Sequence, residues 1–142
     1  MPQFRRVRRS VLVYAPRPAT TRWINEELVG EDCKVVVVPS IAVLVSRLGE
    51  RSDQIAIVDF DTIDDAGIAA IAAIRYDAWK GPLVAIGRVE GPVRTLLRVT
   101  EILLRPLGSE RLRKLIANLA TGVVCGTPGE TDESTSETMP FR

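Results

Sequence analysis

The stretch from Ile55 to Arg75, IAIVDFDTIDDAGIAAIAAIR, decides the fold of this 142-residue chain. It begins with a short apolar run, which ends abruptly at Asp59, and after an acidic loop it continues into apolar residues at helical spacing from Ile68 to Ile74. An apolar run without alternation is typical of a strand that is covered on both faces of a parallel sheet. The stretch therefore predicts a buried strand, a loop bearing carboxylates and a helix that returns over the sheet. A carboxylate at the end of such a strand lies where open α/β sheets bind ligands.

The same alternation of strand and helix patterns recurs along the whole chain. Strands are predicted at 11–14, 35–38, 55–58, 82–86 and 102–104. Helices are predicted at about 20–29, 41–48, 68–75 and 93–100, with a last one after Ser109. Thr20 or Thr21 and Ser40 are the expected N-caps. Five such units with right-handed crossovers predict an α/β, flavodoxin-like, doubly wound fold: a five-stranded parallel sheet of order 2-1-3-4-5 with helices on both faces.

Two local patterns carry more specific expectations. The four valines at 35–38 show no alternation, so that strand is expected to be covered on both faces. In the fourth helix, Leu96 and Leu97 are expected to face inward.

Composition divides the chain into three parts and excludes several kinds of chemistry. Residues 1–9 are expected to form a basic flexible arm, 10–122 the folded domain, and 123–142 a disordered acidic tail. The chain has no histidine, which excludes Ser-His and Cys-His catalysis and histidine metal sites within it. Cys33 and Cys125 are too few for a disulfide framework. No apolar run approaches a membrane span, so we expect a cytoplasmic protein without membrane contact.

The layout from about residue 10 to 120 resembles the receiver domain of bacterial response regulators, the CheY-like family. The resemblance is most specific from Asp59 to Arg75, where Asp59 matches the phosphoacceptor and Gly67 the family's glycine. It also covers the segment EILLRP, 101–106, where Arg105 stands in place of the family's lysine. It implies a signalling module and not an enzyme.

The departures from the family pattern decide which kind of receiver the resemblance implies. The two acids that hold magnesium in the family are matched by Ala15 and Pro16, and the hydroxyl residue that bonds the phosphoryl group is matched by Gly87. The aromatic switch residue is matched by Ile102. Magnesium requires oxygen ligands, so the expected metal and cofactor content is none. These positions describe a degenerate pseudo-receiver in which Asp59 is vestigial.

Three functions follow, in decreasing order of support. The first is a stand-alone pseudo-receiver that acts in signal transduction by phosphorylation-independent protein–protein interaction. The second is a genuine single-domain response regulator, phosphorylated on Asp59 in a two-component phosphorelay with Mg²⁺; Asp59 and Asp61 are the weaker candidate metal ligands. The third is a small-molecule binding module at the switch point of the sheet, which would show an apolar pocket over Ala15, Pro16 and Gly87.

A basic segment provides the candidate interaction face. In a receiver layout it covers the fourth helix, the fifth strand and the fifth helix, and it would attract an acidic surface of a signalling protein or support a homodimer. The residues of this candidate face are Arg94, Arg98, Ile102, Arg105, Arg111, Arg113 and Lys114. The N-terminal arginines have only Phe4 beside them for base stacking, so specific nucleic-acid binding is not expected.

Overall fold

A computed structural model describes residues 9–31, 33–51 and 53–120 of the chain. Ten elements alternate within them. The strands are β1 (Arg9–Tyr14), β2 (Cys33–Val37), β3 (Ile55–Asp59), β4 (Leu83–Ile86) and β5 (Glu101–Leu103). The helices are α1 (Pro18–Leu28), α2 (Ile41–Leu48), α3 (Asp65–Asp77), α4 (Gly91–Leu97) and α5 (Arg111–Ala120). The chain divides between Ser109 and Glu110 into two compact units, of which the first holds the sheet and α1 to α4.

All four strand pairings are parallel, and the strand order is β2-β1-β3-β4-β5. The predicted flavodoxin-like sheet is therefore confirmed. From β1 the chain crosses to β2 at one edge of the sheet. The three later crossovers, from β2 to β3, from β3 to β4 and from β4 to β5, all proceed toward the opposite edge. Since crossovers of this type are right-handed, α1 covers one face of the sheet and α2, α3 and α4 cover the other. The carboxyl ends of β1 and β3 lie side by side at the point where the direction reverses.

β3 is apolar because it lies in the core of the first unit. All five residues of β3 are buried, because β1 and β4 flank it and helices cover both faces. On the side of α2 to α4, Ala56 and Val58 join a buried cluster with Leu44, Ile71 and Trp79. Trp79 is fully buried and donates its indole N–H to the carbonyl of Gln54 at 2.7 Å. Sequence periodicity did not predict this anchor, since Trp79 follows the end of α3.

The prediction that the valine strand is covered on both faces was wrong. β2 is the edge strand, and α1 covers its face only in part, since Val37 lines an open groove beside α1 and is 46% exposed. The fourth helix also differs from expectation. It ends at Leu97, earlier than predicted, and Leu96 is 58% exposed while Leu97 is buried.

Of the two predicted N-caps, the one for α2 is confirmed and the one for α1 is wrong. Ser40 caps α2, and its hydroxyl oxygen accepts the N–H of Val43 at 3.2 Å. Neither Thr20 nor Thr21 caps α1, because the helix begins earlier, at Pro18, and Arg17 occupies the N-cap position with an extended backbone. Proline suits the first helical position since its fixed φ is helical and that position needs no N–H donor. Thr21 instead donates its hydroxyl to the carbonyl of Ala15 at 2.8 Å.

The second unit contributes α5 to the described part of the chain. Leu112 and Ile116 lie one helical turn apart on α5, and both are buried. Nζ of Lys114 lies 3.8 Å from Oε1 of Glu110, which precedes Lys114 by one helical turn. Nearly all of the predicted arm, the tail and the boundary at 122 lie outside the described residues. No helix among the residues that the structure describes is long and apolar enough to cross a membrane.

Candidate functional site

Asp59 ends β3 at the edge of the sheet where a ligand site was predicted. Its side chain is fully buried. Three chain segments surround it at the carboxyl ends of neighbouring strands. They are the loop after β1, which carries Arg17, the loop after β3, which carries Asp61, and the segment after β5, which carries Arg105.

Two arginines hold the Asp59 carboxylate. Arg17 binds it in a bidentate manner, with Nε 3.1 Å from Oδ2 and Nη2 3.1 Å from Oδ1. Arg105 adds a bond from Nη2 to Oδ2 at 3.3 Å. The backbone N–H of Asp61 donates to Oδ1 at 3.0 Å, so both carboxylate oxygens are occupied. Paired N–H···O bonds from a guanidinium are among the stronger polar contacts in proteins, and here they balance a buried charge.

Asp61 is the second carboxylate of the site, and it connects three loops. Its Oδ2 accepts from Arg105 Nε at 2.9 Å and from Arg17 Nη2 at 3.3 Å. Its Oδ1 accepts the backbone N–H of Arg88, in the loop after β4, at 3.4 Å. The hydrogen bond from Arg105, followed by those from Arg88 and Arg17, lowers the pKa of the Asp61 carboxyl below its ordinary value. Asp61 is therefore an ordered part of the site rather than part of a solvated acidic loop.

Arg17 is the functional residue that sequence reasoning missed. It lies between Pro16 and Pro18, and the residue before a proline is restricted to extended backbone. The hydrogen bond to Asp59, with the Asp59 charge and the contacts to Asp61, raises the pKa of the Arg17 guanidinium. The available signal was its position, since an arginine two residues after Ala15 lies close to the end of β1. We refer below to Arg17, Asp59, Asp61 and Arg105 together as the four-charge cluster.

The described residues do not form the apolar pocket over Ala15, Pro16 and Gly87 that the small-molecule alternative would show. Gly87 has a φ of +100°, and a Cβ at this position would overlap the Asp61 carboxylate. The space above Gly87 is thus filled by a charged group. Ala15 and Pro16 instead line an open groove of about 830 Å³ that extends between α1 and the end of β2, away from Gly87.

The arrangement of oxygens does not fit the magnesium ion that a functional receiver would carry. Magnesium requires near-octahedral oxygen ligation. Both oxygens of Asp59 already accept hydrogen bonds from guanidinium groups, and Ala15 and Pro16 have no side-chain oxygen. Across residues 9–31, 33–51 and 53–120 there is no group of three or more histidine, cysteine or acidic residues able to hold a metal ion. Asp59 and Asp61, the alternative ligands, both bind Arg17 and Arg105 instead.

The predicted interaction face is only partly assembled in the first unit. Arg94 and Arg98 are exposed, on α4 and directly after it. Ile102 is half-buried and packs against the core cluster, and Arg105 is directed into the four-charge cluster. The other three members of the face, Arg111, Arg113 and Lys114, belong to the second unit. The face as a whole stays a prediction.

The Asp61 contacts predict a pH-dependent contribution to stability. We expect Asp61→Asn to lower the free energy of unfolding by about 1 kcal/mol at pH 7, since the variant loses a charge-assisted bond to each arginine. The pKa of the Asp61 carboxyl is lower in the folded chain than in the unfolded chain. The stabilisation by Asp61 is therefore complete at pH values above the unfolded pKa of about 4. It is lost as the pH falls through the folded pKa. Urea unfolding of both proteins at several pH values measures the difference.

The matched control for this measurement is Asp53→Asn. Asp53 lies 3.1 Å from Arg51, and both side chains are about half exposed. We expect that change to cost less than about 0.5 kcal/mol at any pH. If the difference in free energy of unfolding between the natural sequence and Asp61→Asn stayed constant down to acidic pH, the contacts assigned to Asp61 would be contradicted.

The strand order, the buried aspartate at the switch point and the surrounding loops define a CheY-like receiver fold. Solved receiver structures match most of the chain. A response regulator from Colwellia psychrerythraea is 18% identical with a TM-score of 0.67, and the match covers 80% of this chain and 98% of that one. The chemotaxis protein CheY4 of Vibrio cholerae is 14% identical with a TM-score of 0.66, and the match covers 80% and 99%.

A third match is the CheY-like receiver domain of a response regulator from Methylobacillus flagellatus. It is 16% identical with a TM-score of 0.64, and the match covers 80% of this chain and 99% of that one. No family model matches the sequence, and no match is found among curated proteins. At these identities, the likeness establishes the fold, and the site must be interpreted from its own residues.

Proposed function

We propose that this chain is a receiver-like signalling module that works through protein–protein interaction and not through phosphorylation of Asp59. The observation that carries the proposal is the occupation of the Asp59 carboxylate by Arg17 and Arg105. Phosphoryl transfer to an aspartate needs an accessible oxygen and a cation that neutralises the transferred group. Here the side chain is fully buried, and its oxygens bind guanidinium groups that belong to the protein.

The same cluster supports a fixed rather than a switching conformation. Asp61 joins the loops after β1, β3 and β4 to the segment after β5, which are the parts that would have to move in a phosphorylation switch. Asp59 is fully buried, so a rearrangement that leaves its charge without a guanidinium partner is disfavoured. A module with a fixed switch region would transmit a signal by presenting a constant surface. No catalytic role for the chain is part of this proposal.

The surface proposed for partners is the exposed part of α4 with the residue after β5. Leu96 and Leu104 are 58% and 56% exposed, and Arg94 adds positive charge on α4. Exposed apolar side chains and arginines are both features of protein interfaces, and the positive charge favours an acidic partner.

An amide NMR titration with magnesium and beryllofluoride, a phosphoryl mimic, tests the proposal. For the natural sequence, we expect no saturable change at Asp59, Gly87 or Arg88. We expect a response in a triple variant, Ala15→Asp with Pro16→Asp and Arg17→Ala, because it removes the bidentate guanidinium and supplies the two acids. The triple variant shows that the assay detects a restored site.

The opposite result has a definite meaning. If the natural sequence showed saturable shifts around Asp59 and Asp59→Asn did not, magnesium would be able to displace Arg17 from the carboxylate. The chain would then be a phosphorylated response regulator, and the proposal would be wrong.

A further inference from the structure

A second cluster of cations lies at the opposite edge of the sheet from Asp59, where β4 and β5 begin. Arg75 from the last turn of α3, Lys80 from the following loop and Arg98 after α4 line one cavity of about 270 Å³. Gly81, Pro82 and Thr100 complete its lining. Among the described residues, the lining therefore contains three cations and no acidic side chain.

Arg75 is the buried member of this cluster. It is 5% exposed, and it stacks over the Trp79 ring at 4.1 Å. Its guanidinium donates to the carbonyls of Leu97 at 2.8 Å, Arg98 at 3.0 Å and Trp79 at 3.5 Å, and also to that of Gly81. Burial, and then the nearby charge of Arg98, lowers the pKa of Arg75 to about 10. Carbonyls satisfy its hydrogen bonds, but they carry no full negative charge to balance it.

Lys80 is exposed, but backbone carbonyls also accept its hydrogen bonds. Its ammonium donates to the carbonyl of Arg75 at 2.6 Å and to that of Tyr76 at 3.1 Å, so it closes the last turn of α3. Cations are favourable at helix C-termini, and this explains why Arg75 and Lys80 are where they are. Over the residues that the structure describes, no carboxylate pairs with Arg75, Lys80 or Arg98.

Arg98 is the C-cap of α4, and its backbone N–H donates to the carbonyls of Arg94 and Thr95. Its backbone is left-handed, with φ 54° and ψ 54°, a conformation that favours glycine. Its charge also lies close enough to Arg75 to repel it. A glycine would remove both costs and would keep the backbone carbonyl that Arg75 uses. The end of α4 accounts for the left-handed backbone, but glycine is the usual residue at such a helix end, so the helix alone gives no reason for an arginine side chain beside a second cation.

We propose that this cavity binds a phosphate group, either as inorganic phosphate or on a small organic ester. The guanidinium of Arg98 matches two phosphate oxygens at once, and Lys80 adds a point charge. Thr100 accepts the N–H of Leu83 through its hydroxyl oxygen at 3.0 Å, which leaves its O–H available as a donor. A dianion would balance charges that no carboxylate of the described residues balances. The site goes beyond the proposed function and shares no residue with the four-charge cluster.

Phosphate titration followed by amide NMR tests the site, with sodium chloride at matched ionic strength as the reference. We expect saturable shifts at Gly81, Arg98 and Thr100 with phosphate and not with chloride. Arg98→Gly should weaken phosphate binding by about tenfold or more, since it removes the forked contact. The same variant should raise the melting temperature in the absence of phosphate, so its loss of binding cannot be attributed to unfolding.

Arg47→Ala is the matched control, because Arg47 is an exposed arginine of α2 outside the cavity, and it should bind phosphate as the natural sequence does. Glycerol 3-phosphate distinguishes the two sources: tighter binding than that of inorganic phosphate assigns an ester, and equal or weaker binding assigns the free ion. Shifts that phosphate and chloride produce equally, or an Arg98→Gly variant with unchanged affinity, would overturn the site. Neither result would affect the assignment of Asp59.

Discussion

Replacing Arg75 by methionine is expected to lower the free energy of unfolding by about 4 kcal/mol. Methionine keeps an unbranched apolar stem against Trp79 but has no donor. The carbonyls of Leu97, Arg98, Trp79 and Gly81 would all lose a partner in a region where Arg75 itself is almost fully buried. Each buried acceptor left unsatisfied costs about 1–3 kcal/mol, and water can replace only part of the loss.

Urea unfolding followed by far-UV circular dichroism measures this effect. Arg94→Met is the matched control, since Arg94 is an exposed arginine on α4, and its change should stay within about 0.5 kcal/mol. Arg75→Lys should fall between the two, because an ammonium keeps the charge but cannot reach all four carbonyls. If Arg75→Met were as stable as the Arg94→Met control, water would be able to satisfy the loop carbonyls without the guanidinium.

The strand and helix order was predictable because it depends on local patterns. The apolar run at 55–58 ending in Asp59, the cap at Ser40 and the crossover rule together fix the sheet and its order. Burial of individual residues was less predictable, as β2 shows. An apolar run indicates a strand, but the exposure of Val37 depends on the position of that strand in the sheet.

The site was predictable in its backbone positions and not in its contacts. Asp59, Gly87 and Arg105 all lie at the predicted edge of the sheet. Arg17 was missed because the long side chain of arginine can reach several partners, and neither periodicity nor spacing indicates which one it binds. The contacts of Asp61 were not predictable for the same reason, since its partners come from distant parts of the chain.

Trp79 and Arg75 show a third limit of pattern reasoning. Arg75 follows the apolar positions of α3 and looks like an exposed helix end, yet it is buried because the carbonyls after α3 and α4 converge on it. Trp79 lies beyond the helix, where no period applies. Contacts between segment ends depend on tertiary packing, which a single sequence does not reveal.

Gly87→Ala is expected to lower the free energy of unfolding by about 3 kcal/mol, by two separable mechanisms. The φ of +100° disfavours any residue with a Cβ, and the new methyl group would occupy the position of the Asp61 carboxylate. Asp61 would then have to leave Arg105 and Arg17, which disturbs the pairing around Asp59. A larger hydroxyl residue, such as the one that the receiver family carries here, would meet the same obstacle.

A double-mutant cycle with Asp61→Ala separates these mechanisms. Without the carboxylate the overlap disappears, so Gly87→Ala in that background should cost only the backbone strain, about 1 kcal/mol. Gly91→Ala is the control, because nothing lies within 4 Å of a Cβ there, and it should be neutral or slightly stabilising. Equal costs of Gly87→Ala in both backgrounds would show that Asp61 does not fill the space above Gly87, and the fixed switch region inferred from the four-charge cluster would lose its main support.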